Sequence, residues 1–246
     1  MSKTALLEAI KAFDTAGVKR ILAKDPSLAK WESPQGFNLL QFCCCRSTDG
    51  DPEGAAKQVA LAKWLVANGF DPFVIHTTKA GDDGEADAAQ LPLVFFAVAR
   101  AQNTALARYF LKLGVQPSAL FAAAWWGNAA IVGDLVAHGE DINRFVGATP
   151  LHMAVAVLDR GIEGKPERAK RRLQTVKTFL ELGADPNIRS EHFGTPLHTA
   201  LEKGYDLSVF KLLLKHGADP DAPGKTRRSV RDIASRKKDK SYFNAL

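Results

Sequence analysis

The chain has 246 residues, of which 46% are hydrophobic and 24% charged, and its formal net charge is +6. These proportions are ordinary for a soluble folded protein, and the length allows one or two globular domains or a stack of small repeats. Apolar runs such as 119–126 are too short to span a bilayer, residues 1–13 lack a signal-peptide core, and three adjacent cysteines make no disulfide framework. We therefore predict a protein of a reducing, cytoplasmic compartment, with no membrane span.

The positive charge is concentrated near the C-terminus. Residues 225–240 contain eight basic and two acidic side chains, which leaves 25 basic and 25 acidic residues in the rest of the chain. The high isoelectric point therefore describes this basic C-terminal segment and not the body of the protein.

The first half of the sequence predicts pairs of short helices. Apolar residues at helical spacing indicate two helices within 4–24. A second pair is predicted at 39–45 and 52–68, where Asp51 before Pro52 is a typical helix start.

A long connector with an acidic centre follows at 73–90. Four acidic residues and two glycines lie within 81–87, a composition typical of a mobile surface loop. A strongly apolar unit then begins at Leu91.

The second half predicts one compact helix pair and then a longer one. Trp125, Trp126 and Gly127 close a first helix that begins at Leu120, and a second helix is predicted at 131–138. Basic residues then cluster at 165–172, where Pro166 is expected in the first turn of an extended helix.

One hexapeptide occurs twice, as 149–154 (Thr-Pro-Leu-His-Met-Ala) and 195–200 (Thr-Pro-Leu-His-Thr-Ala). Thr can cap a helix and Pro suits its first position. Leu and Ala then fall on one helix face. A second marker, Gly-Ala-Asp-Pro, follows each copy at 183–186 and 217–220, where Gly can end a helix and Asp-Pro forces the chain into an extended conformation.

The hexapeptide resembles the signature of the ankyrin-repeat family. The resemblance is specific at 147–221 and weaker but continuous elsewhere. It implies an all-α fold, a solenoid of stacked antiparallel helix pairs with short β-hairpin loops and irregular insertions in repeats 2, 3 and 5. The hairpin expected between Gly114 and Leu120 is missing, since six residues are too few. We expect a single domain over 1–246 with the acidic insertion at 73–90 and seven units, at 1–34, 35–72, 91–117, 118–143, 147–187, 193–221 and 224–246.

The resemblance also implies a function. Ankyrin-repeat proteins present a concave face, lined by first helices and hairpin tips, to partner proteins. We therefore expect a non-enzymatic interaction module or scaffold, monomeric and without a cofactor, whose partner protein is not identified by the sequence.

Candidate contact residues follow from the positions that the family exposes. The ends of the first helices and the hairpin tips supply Trp125, Trp126, Arg144, Phe145, Val146, Glu191, His192, Phe193, Glu202 and Lys203. Adjacent tryptophans at positions expected to face solvent suggest an anchor for a partner. The alternative is that the insertions of units two and five fold over them.

Other reactive residue types are expected to be structural. His152 and His198 belong to the repeated hexapeptide, which explains them. Three successive residues of a helix point about 100° apart, so Cys43, Cys44 and Cys45 cannot converge on one metal ion. The first two match Ala123 and Ala124 and are expected in the core. We predict no catalytic, cofactor-binding or metal-binding residue.

Two other functions remain open. The basic segment 225–240 could bind nucleic acid or an acidic membrane surface, although it lacks interleaved aromatic residues before Tyr242 and Phe243. A solvated capping helix explains its charge more simply. An enzyme with a site in the irregular loops would need convergent titratable groups, and the sequence shows none.

Overall fold

The computed structural model describes residues 2–77, 90–156, 166–203, 207–238 and 240–246, without the side chains of 166–168 and 203. The centre of the predicted acidic insertion, 78–89, therefore lies outside the described residues. The chain divides into two compact units, 1–119 and 120–246.

The first unit contains six α-helices and a two-stranded ladder in its described part. Their bounds are α1 Lys3–Lys11, α2 Thr15–Lys24, α3 Leu39–Cys44, α4 Pro52–Ala67, β1 His76–Thr77, β2 Gln90–Leu91, α5 Leu93–Ala99 and α6 Thr104–Lys112. A 3-10 helix, Pro26–Lys30, follows α2. The helices form two rows, because α3 packs against both α1 and α5, and α4 packs against both α2 and α6.

The second unit contains seven α-helices in its described part. Their bounds are α7 Leu120–Trp126, α8 Ala129–Ala137, α9 Pro150–Ala156, α10 Pro166–Glu181, α11 Pro196–Lys203, α12 Leu207–Lys215 and α13 Val230–Arg236. One row consists of α7, α9, α11 and α13, and the other of α8, α10 and α12, with each helix against its neighbours in the row. The predicted all-α repeat architecture is confirmed.

The helix starts follow from local capping. The Asp51 carboxylate accepts a hydrogen bond from the Gly54 N–H at 2.9 Å, and Pro52 is the first helical residue, as predicted. Asn38 and Gln41 form a reciprocal capping box at α3. Ser229 and Asp232 form another at α13, where the sequence predicts the start of a terminal capping repeat.

Short antiparallel pairings occur between helix pairs. Ser190 pairs with Gly194, and Pro223 pairs with Ser229, as the predicted hairpins require. β1 and β2 pair His76 with Leu91 and bracket the acidic insertion. The sequence predicts a connector there without regular structure, and the pairing of its two ends is a finding of the structure.

A buried polar network joins the helix pairs of the first unit. The Gln58 amide, fully buried, donates to the Cys43 carbonyl at 2.8 Å. The Asn103 side chain donates in turn to Gln58 Oε1 at 2.9 Å. Because an unpaired buried amide is costly, these bonds fix α4 against its neighbours.

Candidate protein-binding surface

Helix α7 carries the tryptophan pair at its C-terminal end. Leu120, Ala122, Ala123 and Ala124 are buried, and the helix packs on α8 and α9. No Thr-Pro precedes α7, and the Leu120 N–H instead donates to a Glu140 carboxylate oxygen at 3.1 Å. This long-range contact satisfies one of the amides that a helix start leaves without a partner.

Both indoles reach solvent. Trp125 is 40% exposed and Trp126 is 44% exposed. Gly127 ends the helix with a φ of +69°, a left-handed conformation that glycine adopts without strain. Two neighbouring tryptophans that each keep two-fifths of their surface exposed form an apolar patch of the kind that marks interaction sites.

The tip at 144–146 presents a second apolar surface. Arg144 is exposed, Phe145 is 50% exposed and Val146 is 63% exposed. The tip is anchored by Asn143, whose side chain donates to the Gly183 carbonyl at 3.3 Å and accepts from the Asp185 N–H at 2.8 Å. The apolar side chains therefore project from a segment whose backbone is tied to the next repeat.

The tip at 191–193 is partly internal. Ser190 Oγ donates to the Gly147 carbonyl at 2.6 Å, which joins this tip to the preceding one. Glu191 and His192 are exposed, whereas Phe193 is half-buried with its ring centroid 6.3 Å from that of His152. Phe193 thus packs against the repeat as well as bordering the tip.

The predicted polar pair on α11 has a partner within the chain. Glu202 is exposed, and its carboxylate lies 2.9 Å from Lys225 Nζ. The side chain of Lys203 lies outside the described residues. The sequence gives no sign of the ion pair, because its members are 23 positions apart.

His152 and His198 occupy buried, equivalent positions. In each, Nδ1 lies 2.8 Å from the hydroxyl of the preceding motif threonine, Thr149 or Thr195. Nε2 lies 3.0 Å from a carbonyl of the following repeat, that of Gly194 or Arg228 respectively. A carbonyl only accepts, so Nε2 carries the proton and the neutral ring joins adjacent repeats.

Burial lowers the pKa of both histidines below the usual value of 6.5, and the bond to the carbonyl opposes this shift only in part. With both ring nitrogens engaged, the geometry gives these side chains a structural role.

Cys43 and Cys44 occupy the core positions that the alignment predicts. Cys43 and Cys44 are fully buried and Cys45 is half-exposed. Burial raises the pKa of all three thiols, that of Cys45 to about 11, so they are held in the unreactive protonated form. In the described part of the chain, no three His, Cys, Asp or Glu side chains are grouped to hold a metal ion.

An exposed apolar pair in the first unit was not predicted. Phe73 is 54% exposed and Ile75 is 39% exposed. They follow Asp71 and Pro72, where the sequence predicts a surface connector, and apolar residue types in such a connector are the signal that could have identified them. None of the helices in the described ranges is long and apolar enough to cross a membrane.

Comparison with known proteins agrees with this geometry. A family model described as ankyrin repeats (many copies) matches residues 167–214. Protein fem-1 homolog A of Bos taurus is 33% identical over 91 residues, which cover 37% of this chain and 14% of that protein. The putative ankyrin repeat protein YahD of Escherichia coli K12 is 35% identical over 95 residues, which cover 37% of this chain and 43% of that protein. The matched region thus spans less than half of either relative.

The fold comparison extends over nearly the whole chain. The crystal structure of the human ASB11 ankyrin repeat domain has a TM-score of 0.71 and 21% identity, and the match covers 98% of this chain and 95% of that domain. Residues 167–214 thus match the ankyrin-repeat family, and the chain has the fold of an ankyrin-repeat domain. Ankyrin repeats are generally protein–protein interaction modules, and their fold is a non-enzymatic interaction fold.

Proposed function

We propose that this protein is a non-enzymatic, cytoplasmic, monomeric ankyrin-repeat scaffold whose second unit binds a partner protein. The observation that carries the proposal is the pair of adjacent, partly exposed indoles of Trp125 and Trp126. Phe145 and Val146 supply further exposed apolar surface at the following tip. Arg144, Glu191, His192, Phe193, Glu202 and Lys203 complete the proposed contact set.

The energetic argument favours the tryptophans as anchors. Tryptophan is enriched among interface residues whose truncation costs about 2 kcal/mol or more. The alanines that precede the pair are packed within the helix rows, so the indoles are presented from a rigid element. Binding then loses little conformational entropy on the scaffold side.

The test compares binding by single substitutions of the pair. We expect Trp125→Ala or Trp126→Ala to weaken partner binding at least about tenfold, which corresponds to 1.4 kcal/mol. Leu182→Ala is the matched control, since Leu182 is 40% exposed at the end of α10. Partners captured from lysate by the wild-type chain are identified by mass spectrometry and then measured, purified, against each variant.

Stability must be measured on the same proteins. Leu151→Ala removes a fully buried side chain and is expected to cost about 2–5 kcal/mol of unfolding free energy, whereas either tryptophan variant should cost less. Iodide quenching of the wild type, compared with a Trp125→Phe/Trp126→Phe variant, reports solvent access to the pair. Protected indoles, together with a core-sized loss of stability, would show that the pair is structural.

A further inference from the structure

The tryptophan pair lies beside a basic part of the second unit. A Cβ added to Gly127, the residue after Trp126, would lie 3.5 Å from Arg171 Cβ and 3.8 Å from Thr175 Oγ1. Thr175 is buried, and its hydroxyl donates to the Arg171 carbonyl at 2.8 Å. The face of α10 that carries these residues therefore passes directly against the end of α7.

This part of α10 is an extension that its neighbours lack. α10 has 16 residues, whereas α8 and α12 have nine each. α8 and α12 each begin ten residues before their terminal glycine, so the extra length of α10 is at its N-terminal end.

The extension has a strong positive charge. Residues 167–172 include four basic side chains and one acidic side chain, and Lys170 and Arg171 are exposed. At the other end of the helix, Lys177 lies 3.6 Å from Glu181. The partial positive charge of a helix N-terminus adds to the basic side chains. The end of α7 that carries the apolar patch thus lies against a segment of net positive charge.

We propose that the partner segment recognised here is an acidic peptide with an apolar anchor, a proposal that rests on the proposed function. The anchor packs on Trp125 and Trp126, and aspartate or glutamate side chains beside it face Lys170 and Arg171. The apolar contact supplies affinity, and the opposite charges select the partner and accelerate its encounter.

A protein segment suits this surface better than a nucleic acid strand. Single-stranded nucleic acid needs cations that follow its backbone across several nucleotides, with aromatic rings between them. Here Lys170 and Arg171 are adjacent in one turn of α10, and Lys177, the other exposed cation in the described part of that helix, lies beside Glu181. The exposed indoles of Trp125 and Trp126 are a surface that an apolar peptide side chain can cover and a phosphate cannot.

The experiment uses a random peptide library displayed on phage and panned on the full chain. Phage that also bind the Trp125→Ala/Trp126→Ala variant are removed first, and enriched peptides are synthesised with a fluorescent label. We expect an apolar residue flanked by Asp or Glu. Lys170→Glu/Arg171→Glu should weaken binding of these peptides roughly tenfold, as should raising the salt concentration with the wild-type chain. Lys211→Glu/Lys215→Glu on α12 reverses two exposed charges and should leave the affinity unchanged.

The outcomes separate this inference from the proposed function. Peptides that need the tryptophans but carry no acidic bias and ignore both the charge reversal and salt overturn the inference alone. A library without any tryptophan-dependent peptide overturns the proposed function as well. If a single-stranded DNA oligonucleotide binds through the tryptophans more tightly than every peptide, the occupant of this surface is a nucleic acid and not a protein segment. The neutral variant Lys170→Gln/Arg171→Gln removes the same two charges without reversing them. Its folding is checked by circular dichroism, so that it tests the charge even where the charge-reversed protein misfolds.

Discussion

At the scale of single residues, the motif histidines show how a short sequence pattern becomes a repeat-to-repeat contact. Each ring accepts at Nδ1 from its own repeat and donates from Nε2 to the next. The sequence predicted a structural role for His152 and His198. It could not identify the acceptors, because Gly194 and Arg228 lie 42 and 30 positions away and are brought near only by stacking.

These bonds predict a pH dependence of stability. The folded-state pKa of both histidines lies below the unfolded value of about 6.5, so the unfolded chain binds more protons as the pH falls. The unfolding free energy should therefore decrease below about pH 6.5, by at most about 1.4 kcal/mol per histidine per pH unit, until the folded pKa is passed. Urea denaturation between about pH 7.5 and 5.5 measures this, above the range where carboxylates titrate.

Substitutions show whether His152 and His198 cause this pH dependence of stability. His152→Gln or His198→Gln should each reduce the slope of stability against pH, whatever its effect on absolute stability. The double variant His152→Gln/His198→Gln should reduce the slope most. A slope equal in all three variants and the wild type would show that other groups cause the dependence.

At the scale of elements, the sequence predicted helices wherever apolar spacing and end signals coincide. Asp51-Pro52 and Pro166 mark the true starts of α4 and α10. The sequence did not predict β1 and β2, because strands of two residues are too short to show an alternating pattern. The exposure of Trp125 and Trp126 was expected from alignment with α11, but the basic extension beside them depends on how α10 packs, which spacing alone does not reveal.

The pairing of β1 with β2 sharpens a prediction about the acidic insertion. Thr77 and Gln90 are paired, so the two ends of the insertion lie on adjacent strands. Replacing residues 80–88 by a short Gly-Asn turn should leave folding intact, because surface-loop length contributes little to closure entropy. The measurement is thermal unfolding followed by circular dichroism, with an unchanged midpoint expected. Replacing Leu93, fully buried in α5, by Ala is the destabilising control. Loss of soluble protein on shortening the loop would show that the insertion is packed.

At the scale of the whole molecule, the excess positive charge lies in the basic C-terminal segment 225–240, whose side chains also make structural contacts. Arg231 Nε lies 2.8 Å from an Asp221 oxygen, which lowers the pKa of that carboxyl, and Lys225 pairs with Glu202. The Lys237 ammonium donates to the Leu201 carbonyl at 2.8 Å. Val230 and Ala234 are buried, and the buried Tyr242 packs edge-on against Phe210. These contacts are those of a capping repeat, and they support the simpler explanation of the basic charge.

The charge that remains predicts only weak binding to nucleic acid. Arg227, Arg228, Arg236 and Lys238 are exposed, and Phe243, 40% exposed, is the aromatic side chain available to stack on a base. Binding that depends on a few phosphate contacts loses affinity steeply with salt, because each contact releases a counterion. We expect measurable binding of a labelled DNA duplex at low salt and none at physiological ionic strength, where exposed charges are screened beyond about 8 Å. Fluorescence anisotropy against salt concentration measures how much of this binding the basic C-terminal segment contributes. Arg227→Gln/Arg228→Gln is the test variant in this segment (the cap variant), and Lys211→Gln/Lys215→Gln is the control. Specific binding that persists at physiological salt and is lost only in the cap variant would make nucleic-acid recognition, and not protein binding, the function of this chain.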